Sequence, residues 1–132
     1  MKRVLIDTNA YSHLFRGNKV VEKEISGAGE VLVSVITLGE LYLGFNEGGM
    51  LADNLKNLGR FLSKSVVRIV NVDANVAMTY GRLKYELRRR GTPISDNDIW
   101  IGAQVVEAGA ELVSYDRHFL KIPGLKVWRK LK

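Results

Sequence analysis

The sequence predicts an α/β fold in which a parallel β-sheet is covered by helices on both faces. Short, uninterrupted apolar runs alternate with longer segments in which apolar residues recur every three or four positions. Continuous apolar strands are typical of a sheet buried on both sides, with helices as the connections between its strands. Ligands of such sheets bind beyond the carboxyl ends of the strands, so we expect the functional site at that edge.

Five apolar runs are predicted to be strands, because each is short and bounded by polar or turn residues. The last of them is the weakest, and it follows a turn at Pro123 and Gly124. In chain order, the runs are Arg3–Ile6, Val31–Val33, Val67–Val72, Glu111–Tyr115 and Leu125–Trp128.

Four segments between these runs are predicted to be amphipathic helices. Asp73 and Ser95 are expected to be the N-caps of the last two helices, and Gly109 follows the final one as a C-terminal glycine. The apolar positions of the four helices are Leu38, Leu41, Tyr42 and Phe45; Leu51, Leu55, Leu58 and Leu62; Val76, Tyr80, Leu83 and Leu87; and Ile99, Ile101, Val105 and Val106.

Composition narrows the class of protein. The length fits one domain, residues 1–132, and the apolar and charged fractions of 46% and 26% are typical of globular proteins. The chain has no cysteine, which excludes disulfides and thiolate chemistry. The N-terminal apolar run is too short for a signal peptide, and no stretch approaches the roughly 20 apolar residues of a membrane span. We therefore expect a cytoplasmic protein with no membrane contact, and its net charge of +6 favours a polyanionic partner such as nucleic acid.

Four acidic residues are predicted to meet at the carboxyl edge of the sheet. Asp7 and Asp116 directly follow predicted strands, while Glu40 and Asp98 fall in the first turns of helices that begin at the same edge. Because like charges repel, clustered carboxylates need a cation, and an all-oxygen ligand set favours Mg²⁺ or Mn²⁺ over zinc. Such an ion activates water and neutralises phosphoryl charge, so no serine or histidine nucleophile is required.

Each of these acids also has a purely structural explanation. Asp7 is placed to cap the following helix, and Asp98 to complete a capping box with Ser95. Asp116 fits a turn that its own side chain stabilises, and Glu40 fits a solvated helix position. A single metal site accounts for all four residues together.

Four motifs resemble those of the PIN-domain nucleases, and specifically of the VapC-type toxins from toxin–antitoxin pairs. They occur in the family's order, at compatible spacing, over nearly the whole chain. The motifs are Val4–Asn9, Val33–Leu41, Ile94–Ala103 and Leu112–Phe119, the last followed by Ile122–Leu125. Ser114 stands where the family usually has threonine, which keeps the hydroxyl.

The resemblance implies a three-layer α/β/α sandwich with a parallel sheet of about five strands, and metal-dependent endonucleolytic cleavage of RNA. It implies that Asp7, Glu40, Asp98 and Asp116 are the catalytic, metal-binding acids, with Mg²⁺ or Mn²⁺ as cofactor. It also implies two protein partners, a second copy of the chain and a cognate antitoxin. Apolar surface left over on the helices between residues 38 and 62 favours such interfaces.

Further residues are candidates for supporting roles. Thr8 and Asn9 are expected to orient Asp7 or a phosphate, or else to cap a helix. Ser114 is expected to support the site, and Asp96 mainly to offset the helix dipole, with a lesser role near the acids. A basic run either contacts the RNA backbone or offsets a helix C-terminus; it consists of Arg82, Lys84, Arg88, Arg89 and Arg90. His13 and His118 lack a partner pattern and receive no role.

Other functions fit the sequence less well. A haloacid-dehalogenase-type phosphatase needs a second aspartate at the position of Asn9, and a receiver domain needs paired acids after the first strand. A non-catalytic RNA-binding PIN domain is the strongest rival, although such domains have usually lost acids that this chain keeps. A housekeeping RNA-processing nuclease also remains open.

Overall fold

The computed structural model describes residues 1–131 and shows one parallel sheet of four strands. The strands are β1 (Arg3–Ile6), β2 (Glu30–Ser34), β3 (Val67–Val70) and β4 (Glu111–Val113). They lie side by side in the order β3-β2-β1-β4, so β1 is central and pairs with both β2 and β4. The predicted α/β class with a parallel sheet is confirmed.

Six helices connect and cover these strands. They are α1 (Thr8–Phe15), α2 (Lys19–Ser26), α3 (Val35–Glu47), α4 (Leu51–Leu62), α5 (Ala74–Arg89) and α6 (Asp96–Ala108). The four helices predicted from apolar periodicity do not include α1 and α2, because each has only 8 residues and too few apolar positions to show a helical period. Asp73 and Ser95 are the N-caps of α5 and α6 as predicted, and Gly109 ends α6 in the left-handed conformation.

Burial along β1 and β2 shows that helices cover both faces of the sheet. Val4, Leu5 and Ile6 are all fully buried, although successive residues of a strand point to opposite faces. In β2, Val31 and Leu32 are fully buried in the same way. The sheet is therefore the middle of three layers, and both of its faces contribute to the core.

The predicted strands differ from the observed ones at several points. The run Leu125–Trp128 forms one isolated bridge, Val127 with Leu112, and adds no fifth strand. The third strand ends at Val70 and not at Val72, since its partner β2 ends at Ser34, which pairs with Val70. As the edge strand, β3 is only partly covered.

The predicted fourth strand, Glu111–Tyr115, stops at Val113, and the chain then turns into the carboxyl edge of the sheet. Trp128 supports this turn from the core, since it is 2% exposed and its indole N–H donates to the Ser114 carbonyl at 2.6 Å. Within the part of the chain that the structure describes, no helix is both long and apolar enough to cross a bilayer.

Candidate active site

Four carboxylates line one cleft at the carboxyl edge of the sheet, and they are the four acids that the sequence singled out. The cleft has a volume of about 380 Å³. Its lining consists of Asp7, Thr8, Asn9, Ser12, Arg16, Glu40, Asp98, Ile101 and Asp116. The structure thus brings the four acids together, while their role as metal ligands stays a prediction.

Asp7 lies at the end of β1 and is the most deeply buried of these acids, at 5% exposure. It caps α1, since its Oδ1 accepts a hydrogen bond from the Ala10 backbone N–H at 2.8 Å. Burial raises the pKa of the Asp7 carboxyl to about 6, and the charges of Asp116 and Asp98 act in the same direction. Asp7 therefore caps α1 and also belongs to the acid cluster.

Ser114 links two of the acids. Its fully buried hydroxyl donates to Asp7 Oδ2 at 2.6 Å and accepts from the Asp116 backbone N–H at 2.9 Å. One hydroxyl thus fixes both the carboxylate at the end of β1 and the backbone after β4. This geometry fits the supporting role predicted for Ser114.

Asp98 stands in the first turn of α6, half-buried beside the cleft. Its backbone N–H donates to Ser95 Oγ at 3.2 Å, which is the capping bond expected at this helix end. Burial raises the pKa of the Asp98 carboxyl, and the neighbouring Asp116 and Glu40 charges add to this effect. Its carboxylate is therefore held in a negatively charged environment.

Glu40 is fixed by residues from two other helices. Its Oε1 accepts from the Thr8 hydroxyl at 2.6 Å, and its Oε2 accepts from the Asn97 side-chain amide at 3.3 Å. Glu40 is therefore not a freely solvated helix residue. Thr8, which we expected to orient Asp7 or a phosphate, instead donates to Glu40, and the role of Asn97 was missed by the sequence analysis.

Asp116 begins a 3₁₀ turn, Arg117–Lys121, and brings a histidine to the cluster. Its Oδ1 accepts from the His118 backbone N–H at 2.9 Å, and the His118 Nδ1 lies 3.1 Å from the same oxygen. Asp98, Asp116 and His118 each offer one ligand atom, and these atoms all lie within 4.8 Å of one another. The sequence analysis gave His118 no role, because no motif indicated that this histidine would lie beside the acids.

Asp96 lies outside the acid cleft, on the side of α6 that faces α5. Its Oδ1 accepts from Lys84 Nζ at 2.6 Å and from the Tyr80 hydroxyl at 2.9 Å. The hydrogen bond from Lys84 lowers the pKa of the Asp96 carboxyl below its usual value. Asp96 therefore ties two helices together, and the structure gives it no contact with the acid cluster.

Four residues of the predicted basic run form two groups on α5 and at its C-cap, while the fifth, Arg82, is exposed and belongs to neither. Lys84 and Arg88 border a second cleft of about 400 Å³ beside Ser95 and Ile99, close to the start of α6. Arg89 and Arg90 lie on the far side, with guanidinium nitrogens 3.8 and 4.0 Å from the Glu86 carboxylate. Only the first group adjoins the edge at which the acids meet.

The chemistry of the cleft fits a divalent metal ion. Among the described residues, no ion pair joins a Lys or Arg to any of the four carboxylates. Their partners are hydroxyl, amide and backbone groups and, for Asp116, the His118 imidazole, so no lysine or arginine offsets their negative charge at ion-pair distance. Oxygen ligands with a net negative charge are what Mg²⁺ and Mn²⁺ prefer.

Arg16 is a further cleft residue that sequence reasoning missed. It follows α1 as the C-cap residue and lines the cleft beside the acids. No motif marks it, because its position depends on where α1 ends, and that helix showed no period in the sequence.

Comparisons with relatives of known sequence and structure identify the family and agree with this fold. The family model of the PIN domain matches residues 4–125, so the chain belongs to the PIN domain family. Ribonuclease VapC2 of Haemophilus influenzae is 30% identical over 129 residues, which cover 96% of each chain. This places the chain among the VapC-type members of the family.

Two solved structures show the same fold. A chain in the crystal structure of DNA-bound VapBC from Salmonella typhimurium has a TM-score of 0.83 at 26% identity, over 97% of this chain and 98% of that one. A chain in the structure of VapBC2 from Rickettsia felis, bound to a DNA fragment from its promoter, has a TM-score of 0.85 at 24% identity. That match covers 96% of this chain and 97% of the other.

Proposed function

We propose that this chain, as a single PIN domain over residues 1–132, is a divalent-metal-dependent endoribonuclease and the toxin of a VapBC-type pair. One observation carries the proposal: four carboxylates from four separate elements line one cleft without a compensating Lys or Arg ion pair among residues 1–131. When bound there, Mg²⁺ or Mn²⁺ supplies an activated water and offsets phosphoryl charge. The chain's own relatives named as VapC ribonucleases support the choice of RNA.

The residues around the cleft would have different roles. Asp7, Asp98 and Asp116 would hold the ion, and Ser114 keeps the first and last of them in place. Glu40, held by the Thr8 hydroxyl at 2.6 Å, lines the same cleft and would complete the set of metal-binding acids. Such fixed carboxylates need no reorganisation when the ion and substrate arrive.

Arg16 is the basic side chain best placed to receive the RNA. It lines the acid cleft and forms no ion pair among the described residues. A guanidinium group binds a phosphate with two parallel hydrogen bonds. Lys84 and Arg88 border the neighbouring cleft and would extend the path of the RNA backbone along the start of α6.

The test is cleavage of structured RNA by purified protein in Mg²⁺ or Mn²⁺, with and without EDTA. We expect ion-dependent products with 5′-phosphate and 3′-hydroxyl ends, because water attacks the phosphorus. Asp98→Asn should abolish cleavage, whereas Asp53→Asn, an equivalent change in the exposed first turn of α4, should not. Cleavage that persists in EDTA would reject the metal mechanism, and RNA binding without cleavage would favour a non-catalytic RNA-binding domain.

An apolar surface on α3 and α4 is a candidate interface for protein partners. Its exposed side chains are Tyr42, Leu43, Met50, Leu51 and Leu55. An exposed apolar patch on a small protein usually marks an interface, and a twofold dimer is the commonest way to bury one. Because the solved relatives are VapBC complexes, we propose both a homodimer and a cognate antitoxin, acting in the cytoplasm.

Light scattering and co-expression test these partners separately. A dimer mass at tens of micromolar supports self-association, and a clean monomer contradicts it. Co-expression with the adjacent reading frame should give a complex that no longer cleaves RNA. An active enzyme that never co-purifies with that product would instead indicate a housekeeping RNA-processing nuclease.

A further inference from the structure

His118 is a potential metal ligand that the acid motifs do not account for. Its backbone N–H donates to Asp116 Oδ1. The 3₁₀ turn therefore places residue 118 beside that carboxylate through a backbone contact, which does not depend on the conformation of the His118 side chain. The imidazole Nδ1 then lies 3.1 Å from Asp116 Oδ1. The histidine is therefore brought to the acids by the same turn that presents Asp116.

The distances fit a shared ion. One nitrogen of His118 and one oxygen each of Asp98 and Asp116 lie within 4.8 Å of one another. Ligand atoms that bind one ion at about 2.1 Å stand at most about 4.2 Å apart, so small side-chain rotations suffice. The His118 side chain is 63% exposed, which leaves it free to make such a rotation.

A purely structural role explains the imidazole less well. The turn is already held by the Asp116 side chain, which caps it through the His118 backbone N–H. An exposed imidazole adds little to that bond, since any residue supplies the same backbone donor. The side chain itself is consequently available for a ligand.

We propose that His118 is an additional ligand of the divalent ion and makes the site prefer a transition-metal ion such as Mn²⁺ over Mg²⁺. Carboxylates bind both ions, whereas an imidazole nitrogen adds affinity mainly for transition metals. Asp7 and Glu40 supply only oxygen, so the preference would come from this one residue. The inference rests on the proposed metal-dependent function, and it adds a ligand and an ion preference to it.

The test uses the Mn²⁺-loaded protein and does not depend on RNA cleavage. Electron spin echo envelope modulation detects a ¹⁴N nucleus bound directly to Mn²⁺, and calorimetry gives the affinities for Mn²⁺ and Mg²⁺. The variant is His118→Asn, whose amide retains a polar group near the Nδ1 position. The matched control is His13→Asn, because the His13 ring packs against Tyr115 and is not part of the group Asp98, Asp116 and His118.

We expect a histidine nitrogen signal in the unaltered protein and in His13→Asn, and its loss in His118→Asn. The same variant should bind Mn²⁺ about tenfold or more weakly, with a much smaller change for Mg²⁺. If His118→Asn is poorly folded by circular dichroism, His118→Gln provides the same comparison.

Two results would overturn the proposal, and they differ in what they say about the enzyme. In the first, Mn²⁺ binds the unaltered protein without a nitrogen signal, and this binding is lost in Asp98→Asn. That result would show that His118 is not a ligand, and it would leave the proposed carboxylate site intact. An absence of Mn²⁺ binding would overturn both this inference and the proposed metal-dependent function.

Discussion

The carboxylates at the two edges of the sheet lie in opposite electrostatic surroundings. At the amino edge, a cavity of about 700 Å³ is lined by residues including Lys2, Glu24 and Glu111. At the carboxyl edge, the acid cleft has a volume of about 380 Å³. The larger cavity is the one whose acids are already neutralised by the protein's own cations.

Ion pairs run along the amino edge. Lys2 Nζ lies 2.6 Å from Glu24 and 3.4 Å from Glu111. Arg3 and Arg68 both reach Glu30, at 3.1 and 3.2 Å. The hydrogen bond to Glu24 also raises the pKa of Lys2, which strengthens its hold on the proton.

At the carboxyl edge, burial and mutual repulsion raise the pKa of Asp7 and of Asp98. Acids with perturbed pKa values that meet in a cleft are typical of functional sites. Charge compensation, and not cavity size, therefore distinguishes the candidate active site from the amino-edge cavity.

The largest expected effect comes from neutralising Asp116, in the turn that follows β4, in comparison with Glu111 at the start of that strand. Asp116→Asn should lower the RNA cleavage rate by at least roughly 10²-fold, because several kcal/mol of transition-state stabilisation depend on the ion it holds. Glu111→Gln, at the amino end of the same strand, should leave the rate unchanged. Single-turnover cleavage at saturating protein measures both. Equal losses in the two variants would contradict the distinction between the edges.

Asp7 should destabilise the metal-free protein at neutral pH. Its folded pKa of about 6 lies above the ordinary 3.8, so the folded state binds more protons between these values, and stability falls as pH rises through them. A shift of this size corresponds to about 3 kcal/mol once the carboxyl is fully ionised. Urea unfolding in EDTA at several pH values should show this loss.

The matched variant is Asp7→Asn, which keeps the acceptor for the Ala10 N–H but carries no charge. We expect it to be inactive, yet more stable than the unaltered protein at about pH 7, by at most about 3 kcal/mol. The advantage should disappear near pH 4. A variant that is less stable at every pH would show that the Asp7 charge is compensated within the protein.

Arg16 should matter for substrate binding more than for the chemical step. Arg16→Ala is expected to raise KM about tenfold, the equivalent of one charge-assisted contact of roughly 1.4 kcal/mol, with a smaller change in kcat. Lys23→Ala removes a cation that lines the amino-edge cavity and should leave KM nearly unchanged. Steady-state kinetics on a short RNA separates the two constants, and equal KM values in both variants would assign Arg16 no role.

The smallest effect is expected from the ion pairs of the amino edge. Glu24→Gln breaks the contact with Lys2, whose side chain is 47% exposed, so the stability cost should be below about 1 kcal/mol. Cleavage should not change. Chemical unfolding and RNA cleavage together check this, and a loss of activity would mean that the amino edge takes part in function.

Much of this architecture was predictable from sequence, for identifiable reasons. β1 and β2 are buried on both faces, so they appear in the sequence as continuous apolar runs. Such runs predict a parallel sheet, and a parallel sheet predicts a site at its carboxyl edge. Asp7 and Asp116 were placed because each directly follows a predicted strand. Those predictions need only local patterns.

What escaped prediction depends on the tertiary path of the chain. The short helix α1 positions Arg16, and the 3₁₀ turn after Asp116 positions His118, yet neither element has a periodic pattern. Asp96 sits in the first turn of α6 like Asp98, and only the packing of α5 directs it to Lys84. Asp96 and Asp98, on the same turn of α6, thus differ in role because different residues surround them.

The most direct test of the account is the effect of Mn²⁺ on thermal unfolding at about pH 7.5. At a free concentration of 100 times its Kd, an ion that binds only the folded protein stabilises it by about 2.7 kcal/mol. We predict this rise in Tm for the unaltered protein and for Glu111→Gln, and no rise for Asp98→Asn. An unchanged Tm in the unaltered protein, or the same rise in Asp98→Asn, would contradict the claim that the uncompensated carboxylates of this edge bind a divalent ion.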